Sequence, residues 1–123
     1  MIVCGNCYFC RRGKYHLWDR ISFHYRKGQG AFGTYFIASE EHVFKLPDSI
    51  TYEEGVLIEP LSVALHAVKK SDIGLGDTCA IFDAGAIGLL TTMLVSQTTQ
   101  SKCFTVDIND FRLQKALEAV GLS

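Results

Sequence analysis

Residues 78–107 constrain this chain more than any other stretch. Thr78–Phe82 (TCAIF) is a short continuous apolar run, the pattern of a strand buried in a parallel sheet. Asp83-Ala84-Gly85-Ala86-Ile87-Gly88 follows at once, and the apolar residues 89–95 continue as a helix. Lys102–Val106 (KCFTV) is a second strand of the same kind, ended by Asp107. Residues 110–120 read as an amphipathic helix closed by Gly121. Strand, helix, strand, helix in that order predicts a parallel sheet with right-handed crossovers. Two strands cannot bury both faces of a sheet, and they leave two open edges. A third strand is expected where the sequence stops at Ser123, so we expect an incomplete piece of a larger α/β protein.

The turn between the first strand and its helix carries chemistry. A strand, a tight glycine turn and a helix N-terminus together form an anion site, because backbone N–H groups point outward and the helix dipole favours negative charge. Glycines permit the close approach that a side chain blocks. In the pattern G-x-G-x-x-G, Gly85 and Gly88 supply the second and third glycines, with Ile87 between them, and Asp83 replaces the first. That substitution adds a negative side chain where two phosphates would sit, which weakens the motif. Asp107 ends the next strand about twenty residues beyond the turn, the position of a carboxylate that accepts bonds from ribose hydroxyls and selects NAD over NADP. Arg112 could flank the adenine or ribose. The same residues also fit a strand–helix–strand unit that binds nothing.

The N-terminal part differs in composition. Residues 1–38 hold six of the twelve Lys and Arg and one acid, Asp19, so they carry about +5 and the remainder about −6. Ten of the fourteen aromatic residues precede Lys45. Residues 1–30 carry Gly5, Gly13, Gly28 and Gly30 and no sustained period, as in a loop-rich lobe held by something other than a large core. Cys4-x-x-Cys7-x-x-Cys10 places three soft ligands within seven residues, a spacing that wraps a tetrahedral zinc ion. A closed site needs a fourth ligand. Trp18 stands where one would be sought, and His16 lies nearby. Free thiols without zinc are the alternative. Cys79 and Cys103 lie in apolar runs and are expected to be buried core thiols.

Residues 31–37 (AFGTYFI) and 43–46 read as strands. Thr51 and Glu54 have capping-box spacing. Residues 55–70 read as a helix, with Leu61, Ala64, Leu65 and Val68 on one face and Pro60 near its start.

The net charge of −1 argues against a nucleic-acid binder. No apolar run of about 18 residues predicts a membrane span, and no signal peptide is evident. Five cysteines, an odd number, fit a reducing cytoplasmic setting better than a disulfide framework.

Taken together, these motifs resemble the medium-chain, zinc-dependent alcohol dehydrogenase superfamily, and most of all its polyol branch of sorbitol, xylitol and arabinitol dehydrogenases. The resemblance runs from residues 4–10 (CGNCYFC) and 11–17 (RRGKYHL) through Lys45-Leu46-Pro47-Asp48 and residues 52–55 (YEEG). It is most specific at residues 58–67 (IEPLSVALHA) and continues through 84–90 (AGAIGLL) to Asp107 and Arg112. It implies an α/β fold: part of a GroES-like catalytic domain, with its zinc lobe and strands, over residues 1–70, then the first half of an NAD-binding Rossmann sheet over 71–123.

The resemblance also implies roles. Glu59 matches the acid beside the catalytic zinc, whereas an acid before Pro60 read without the family is a first-turn helix residue favoured by the dipole. Gly85, Ile87 and Gly88 match the pyrophosphate turn, and Asp107 and Arg112 the NAD adenosine site. Cys4, Cys7 and Cys10 match three of four structural-zinc ligands. His66, on the same helix as Glu59, is expected to be structural, and His24 and His42 to lie at the surface. The complete enzyme would pass a hydride from a polyol to NAD, with zinc as Lewis acid, and would form a homo-oligomer. The cysteine and His-Glu pair that hold the family's catalytic zinc have no counterpart here, so this chain alone is expected to be inactive. A residual nucleotide- or zinc-binding module and a gene remnant without function are the alternatives.

Overall fold

The computed structural model describes residues 3–20, 30–99 and 101–122. The chain divides into two units, Met1–Leu46 and Pro47–Ser123.

In the first unit the described residues form single turns of 3₁₀ helix at Cys10–Arg12, Tyr15–Leu17 and Glu40–His42. Gly5 and Gly13 both take positive φ, +73° and +68°, which lets the chain double back around the cysteines. Arg12 lays its guanidinium 3.7 Å from the ring centre of Tyr8, whose ring meets Phe9 edge-on. The strands expected at 31–37 and 43–46 are not formed. Phe32 and Tyr35 are fully exposed, so the segment has no buried face. β-Propensity is a fit to a pleated, half-buried surface and forms no strand where that surface is missing.

The second unit opens with α1 (Tyr52–Gly55), held by a complete capping box: Thr51 Oγ1 accepts from the Glu54 N–H at 3.2 Å and Glu54 Oε2 accepts from the Thr51 N–H at 2.8 Å. The Thr51 N–H, and after it the Thr51 hydroxyl that donates to Glu54 Oε2 at 3.0 Å, hold the Glu54 carboxyl below its ordinary value. The helix expected over 55–70 begins instead at Ile58, as α2 (Ile58–Lys70). Pro60 explains the break. In a helix continuous from Tyr52 its missing N–H would leave a carbonyl unpaired, whereas in the first turn of α2 no intrahelical donor is required there. Of the four residues expected on one apolar face, Ala64 is fully buried and Val68 half-buried, but Leu61 and Leu65 are exposed.

Next come β1 (Thr78–Phe82), α3 (Ala86–Thr98), β2 (Lys102–Val106) and α4 (Asp110–Ala119). The two strands pair in parallel, with Cys79 opposite Cys103 and Phe82 opposite Val106. The expected order of elements is therefore formed. Helix α3 packs on both strands and on α2 and α4. Ala67, Val68, Cys79, Ile81 and Val95 line one cleft of 340 Å³, and Thr92, Cys103, Thr105, Leu113 and Ala116 line another of 280 Å³. Thr92 Oγ1 and Thr105 Oγ1, 3.0 Å apart, join α3 to β2.

The strands are buried on one face rather than two. Residues of β1 and β2 alternate exposed and half-buried along both strands, and Phe82 is 78% exposed. Cys79 and Cys103 are accordingly half-buried rather than core thiols. Burial, with the neighbouring Cys79 thiol second, pushes the Cys103 thiol up to about 11. Among the described residues no helix is long and apolar enough to cross a membrane.

Candidate functional site

The turn after β1 and the end of β2 meet. Val106 O accepts from the Asp83 N–H at 2.8 Å, extending the strand pair by one bond into the turn. One residue on, Asp107 Oδ2 accepts from the Ala84 N–H at 2.8 Å, while its Oδ1 accepts from the Asn109 N–H at 2.8 Å. The Asp107 side chain is only 3% exposed. The Ala84 N–H, then the Asn109 N–H, then the nearby Arg112 hold its carboxyl below the ordinary aspartate value against the opposing effect of burial. Each oxygen keeps one lone pair unused by these bonds.

Arg112 stands in the first turn of α4, where Asn109 caps the helix by accepting from the Arg112 N–H at 3.3 Å. Its Nη1 lies 3.5 Å from both Asp107 Oδ2 and Asp83 Oδ1, ion-pair distances rather than short hydrogen bonds. The structure thus gathers Asp83, Ala84, Asp107 and Arg112 at the C-terminal ends of the two strands, the edge where open α/β sheets bind their ligands.

Gly85 is the N-cap of α3, and no side chain caps that helix. Ile87 lies in its first turn, partly exposed. At Gly88 a Cβ would fall 1.9 Å from the Asp83 carbonyl oxygen, so glycine alone allows α3 to lie this close to the turn. Asp83 itself takes φ +99°, a conformation natural to glycine and strained for a side chain. Its carboxylate lies beside the start of α3, with Oδ2 3.0 Å from where a Cβ on Gly85 would be.

The donors fit the adenosine half of NAD better than its diphosphate. Asp107 offers acceptors for ribose hydroxyls and Arg112 lies next to it, whereas the Asp83 carboxylate stands at the mouth of α3 where phosphate charge would be held. The sequence alone marked Asp83, Asp107 and Arg112 but gave no sign that Ala84 and Asn109 would supply the N–H groups that fix Asp107. A main-chain donor has no residue-type signature.

In the first unit the Sγ atoms of Cys4, Cys7 and Cys10 lie within 4.8 Å of one another, and Cys4 and Cys10 are 3.8 Å apart. Sulfurs on two corners of a zinc tetrahedron, each about 2.3 Å from the ion, lie about 3.8 Å apart. The three thiols therefore fit three corners of a zinc site. No fourth His, Cys, Asp or Glu joins them among the described residues. His16 is exposed and outside the group, and Trp18 is half-buried. His24 lies outside the described residues. The Cys10 N–H donates to Cys7 Sγ at 3.4 Å. The Asn6 N–H pulls the Cys4 thiol below its ordinary value, and burial pushes Cys10 up.

Glu59 is exposed in the first turn of α2, and its main-chain carbonyl accepts from Ser62 Oγ at 2.6 Å. None of its contacts ties it to the Asp107 junction. His66, expected to be structural, is exposed.

No protein-family model matches the chain. D-xylulose reductase A of Aspergillus niger is 39% identical over 116 residues, covering 94% of this chain and 32% of that protein. An alcohol dehydrogenase of Escherichia coli solved in complex with NADH superposes with a TM-score of 0.87 at 27% identity, covering 99% of this chain and 36% of its own. A zinc-binding dehydrogenase of Clostridium scindens superposes with a TM-score of 0.85 at 28% identity, covering 99% of this chain and 33% of its own. The chain thus spans about a third of the length of the relatives it matches.

Proposed function

The chain belongs to the medium-chain, zinc-dependent alcohol dehydrogenase superfamily, in its polyol branch, and we propose that it contributes a zinc lobe and the first half of the NAD-binding sheet to an enzyme that oxidises a polyol to a ketose. NAD, when bound, accepts the hydride in such a reaction. Residues 1–70 belong to the catalytic domain in this reading, and residues 71–123 to the nucleotide domain.

The observation that carries the reading is the Asp107 junction. A carboxylate fixed by two main-chain N–H groups, with a guanidinium beside it, presents acceptors at the strand ends where a ribose would lie. Asp107 and Arg112 hold the adenosine end of the cofactor. Gly85, Ile87 and Gly88 shape the turn beneath it. Glu59 orders the substrate hydroxyl or its water beside the catalytic zinc of the complete enzyme. Cys4, Cys7 and Cys10 hold a structural zinc ion, which staples a lobe whose described residues include one buried side chain, Cys10.

The family's catalytic-zinc cysteine and His-Glu pair have no counterpart among these 123 residues. Homo-oligomer formation belongs to the complete enzyme. All five cysteines are free, which suits the reducing cytoplasm.

Thermal unfolding with and without NAD tests the nucleotide assignment. NAD raises the melting temperature of the chain, and Asp107→Asn removes that rise. An identical melting temperature with and without NAD contradicts it.

The thiol cluster favours a second, narrower reading, in which zinc binding is the activity of this chain and the glycine turn is unused. A melting temperature raised by zinc and unmoved by NAD would select it.

A further inference from the structure

We infer that Asp83 places its own carboxylate where the ligand's diphosphate would lie at the start of α3, so that this chain recognises the nucleoside end of its ligand and gains no affinity from the phosphates. The inference rests on the nucleotide-binding reading above and names which part of the ligand that site takes.

Three observations converge on it. The first is position. Oδ2 and Oδ1 of Asp83 lie 3.0 and 3.4 Å from where a Cβ on Gly85 would be, and Oδ2 lies 3.6 Å from where one on Gly88 would be. The space that the two glycines leave clear of side chains thus already holds an anionic group, at the positive end of a 13-residue helix that no side chain caps.

The second is charge. Arg112 lies 3.5 Å from each of two carboxylates, those of Asp83 and Asp107. Two negative charges face one positive charge, and a diphosphate would add more of the same sign. Arg112 cannot turn fully to a phosphate while Asp83 competes for it.

The third is backbone. Asp83 holds φ +99°, outside the range of the strand it follows, and with that backbone its carboxylate lies beside Gly85 at the start of α3. Asp107, in contrast, is fixed by the Ala84 and Asn109 N–H groups and not by the Asp83 side chain. A diphosphate therefore meets repulsion at the turn, while an adenine and ribose meet a formed site.

Calorimetric titration of the full 123-residue chain, Asp83→Asn and Asp83→Gly with adenosine and with ADP tests this. Asparagine keeps the shape, tolerates positive φ and removes the charge. For the unsubstituted chain ADP binds no more tightly than adenosine, and both variants bind ADP at least about tenfold more tightly than adenosine. An unsubstituted chain that already prefers ADP about tenfold, or variants that gain nothing for ADP, overturns the inference and leaves the nucleotide reading standing. Failure of all three proteins to bind either ligand overturns the nucleotide reading itself, and this inference with it.

Discussion

Asp107 and Ala84, 23 residues apart in sequence, are joined by a 2.8 Å hydrogen bond from the Ala84 N–H to Asp107 Oδ2. The bond makes the glycine turn and the end of β2 one structure. Anything that moves the turn moves the carboxylate proposed to hold the ribose.

The turn carries strain that can be removed. Asp83 sits at φ +99°, and the left-handed region costs a residue with a side chain about 1–2 kcal/mol. Asp83→Gly also loses the Arg112 ion pair, but both partners are about half exposed, so that loss is below about 1 kcal/mol. The added freedom of glycine in the unfolded chain offsets part of the gain. We expect Asp83→Gly to stabilise the chain by about 0.5–1 kcal/mol, a rise of about 5 °C in melting temperature. Calorimetry checks this, and a fall in melting temperature would contradict it.

Gly88 admits no side chain in the present arrangement. A Cβ there would lie 1.9 Å from the Asp83 carbonyl oxygen, which is backbone and cannot swing aside. Gly88→Ala should therefore push α3 off the turn and cost about 2 kcal/mol or more. Gly85→Ala meets only the flexible Asp83 carboxylate, at 3.0 Å, and should cost clearly less. Urea unfolding of the two variants side by side gives the ranking, and equal midpoints would contradict it.

The acid limb of stability should report Asp107. Its carboxyl is held below the unfolded value of about 3.9, so the stability it contributes is complete above that value. That contribution is lost as pH falls through the lower folded value. Asp107→Asn should flatten the dependence of the urea midpoint on pH below about pH 4 and shift the midpoint least at the lowest pH. Glu54, lowered by its bonds to Thr51, acts in the same direction and serves as the control that remains in the variant. An unchanged acid limb would contradict the assignment.

The thiol cluster should bind metal. We expect one zinc ion per chain, measured by chelator competition, with a charge-transfer band in the near ultraviolet when cobalt takes its place. Cys7→Ser should abolish both, because these three thiols are all the ligands that cluster there among the described residues. His16→Ala should change neither, since His16 lies outside the cluster. Loss of the band in His16→Ala would instead make the histidine the fourth ligand.

Most of the second unit was legible in the sequence. The apolar runs, the glycine turn and the acid after the second run place both strands and the two helices that follow them, because each signal is local and agrees with its neighbours. The aromatic stretch at 31–37 misled, since strand propensity is realised only against a partner and a buried face, and Phe32 and Tyr35 have neither. The burial of β1 and β2 was overestimated for the same reason: a continuous apolar run tells what a strand can bury, not what is present to cover it. At the site, Asp83, Asp107 and Arg112 were visible as residue types. Their mutual distances, the positive φ of Asp83 and the main-chain donors that fix Asp107 were not, because they arise from how the two crossover ends meet.

A nucleotide is proposed to seat at the junction of Asp107 with the glycine turn. The most direct test is to titrate NAD into isotope-labelled chain and follow the backbone amide resonances. The amides of Ala84, Gly85, Gly88 and Asn109 should shift together and saturate at one ligand per chain. Shifts confined to other residues, or none at all, would contradict it.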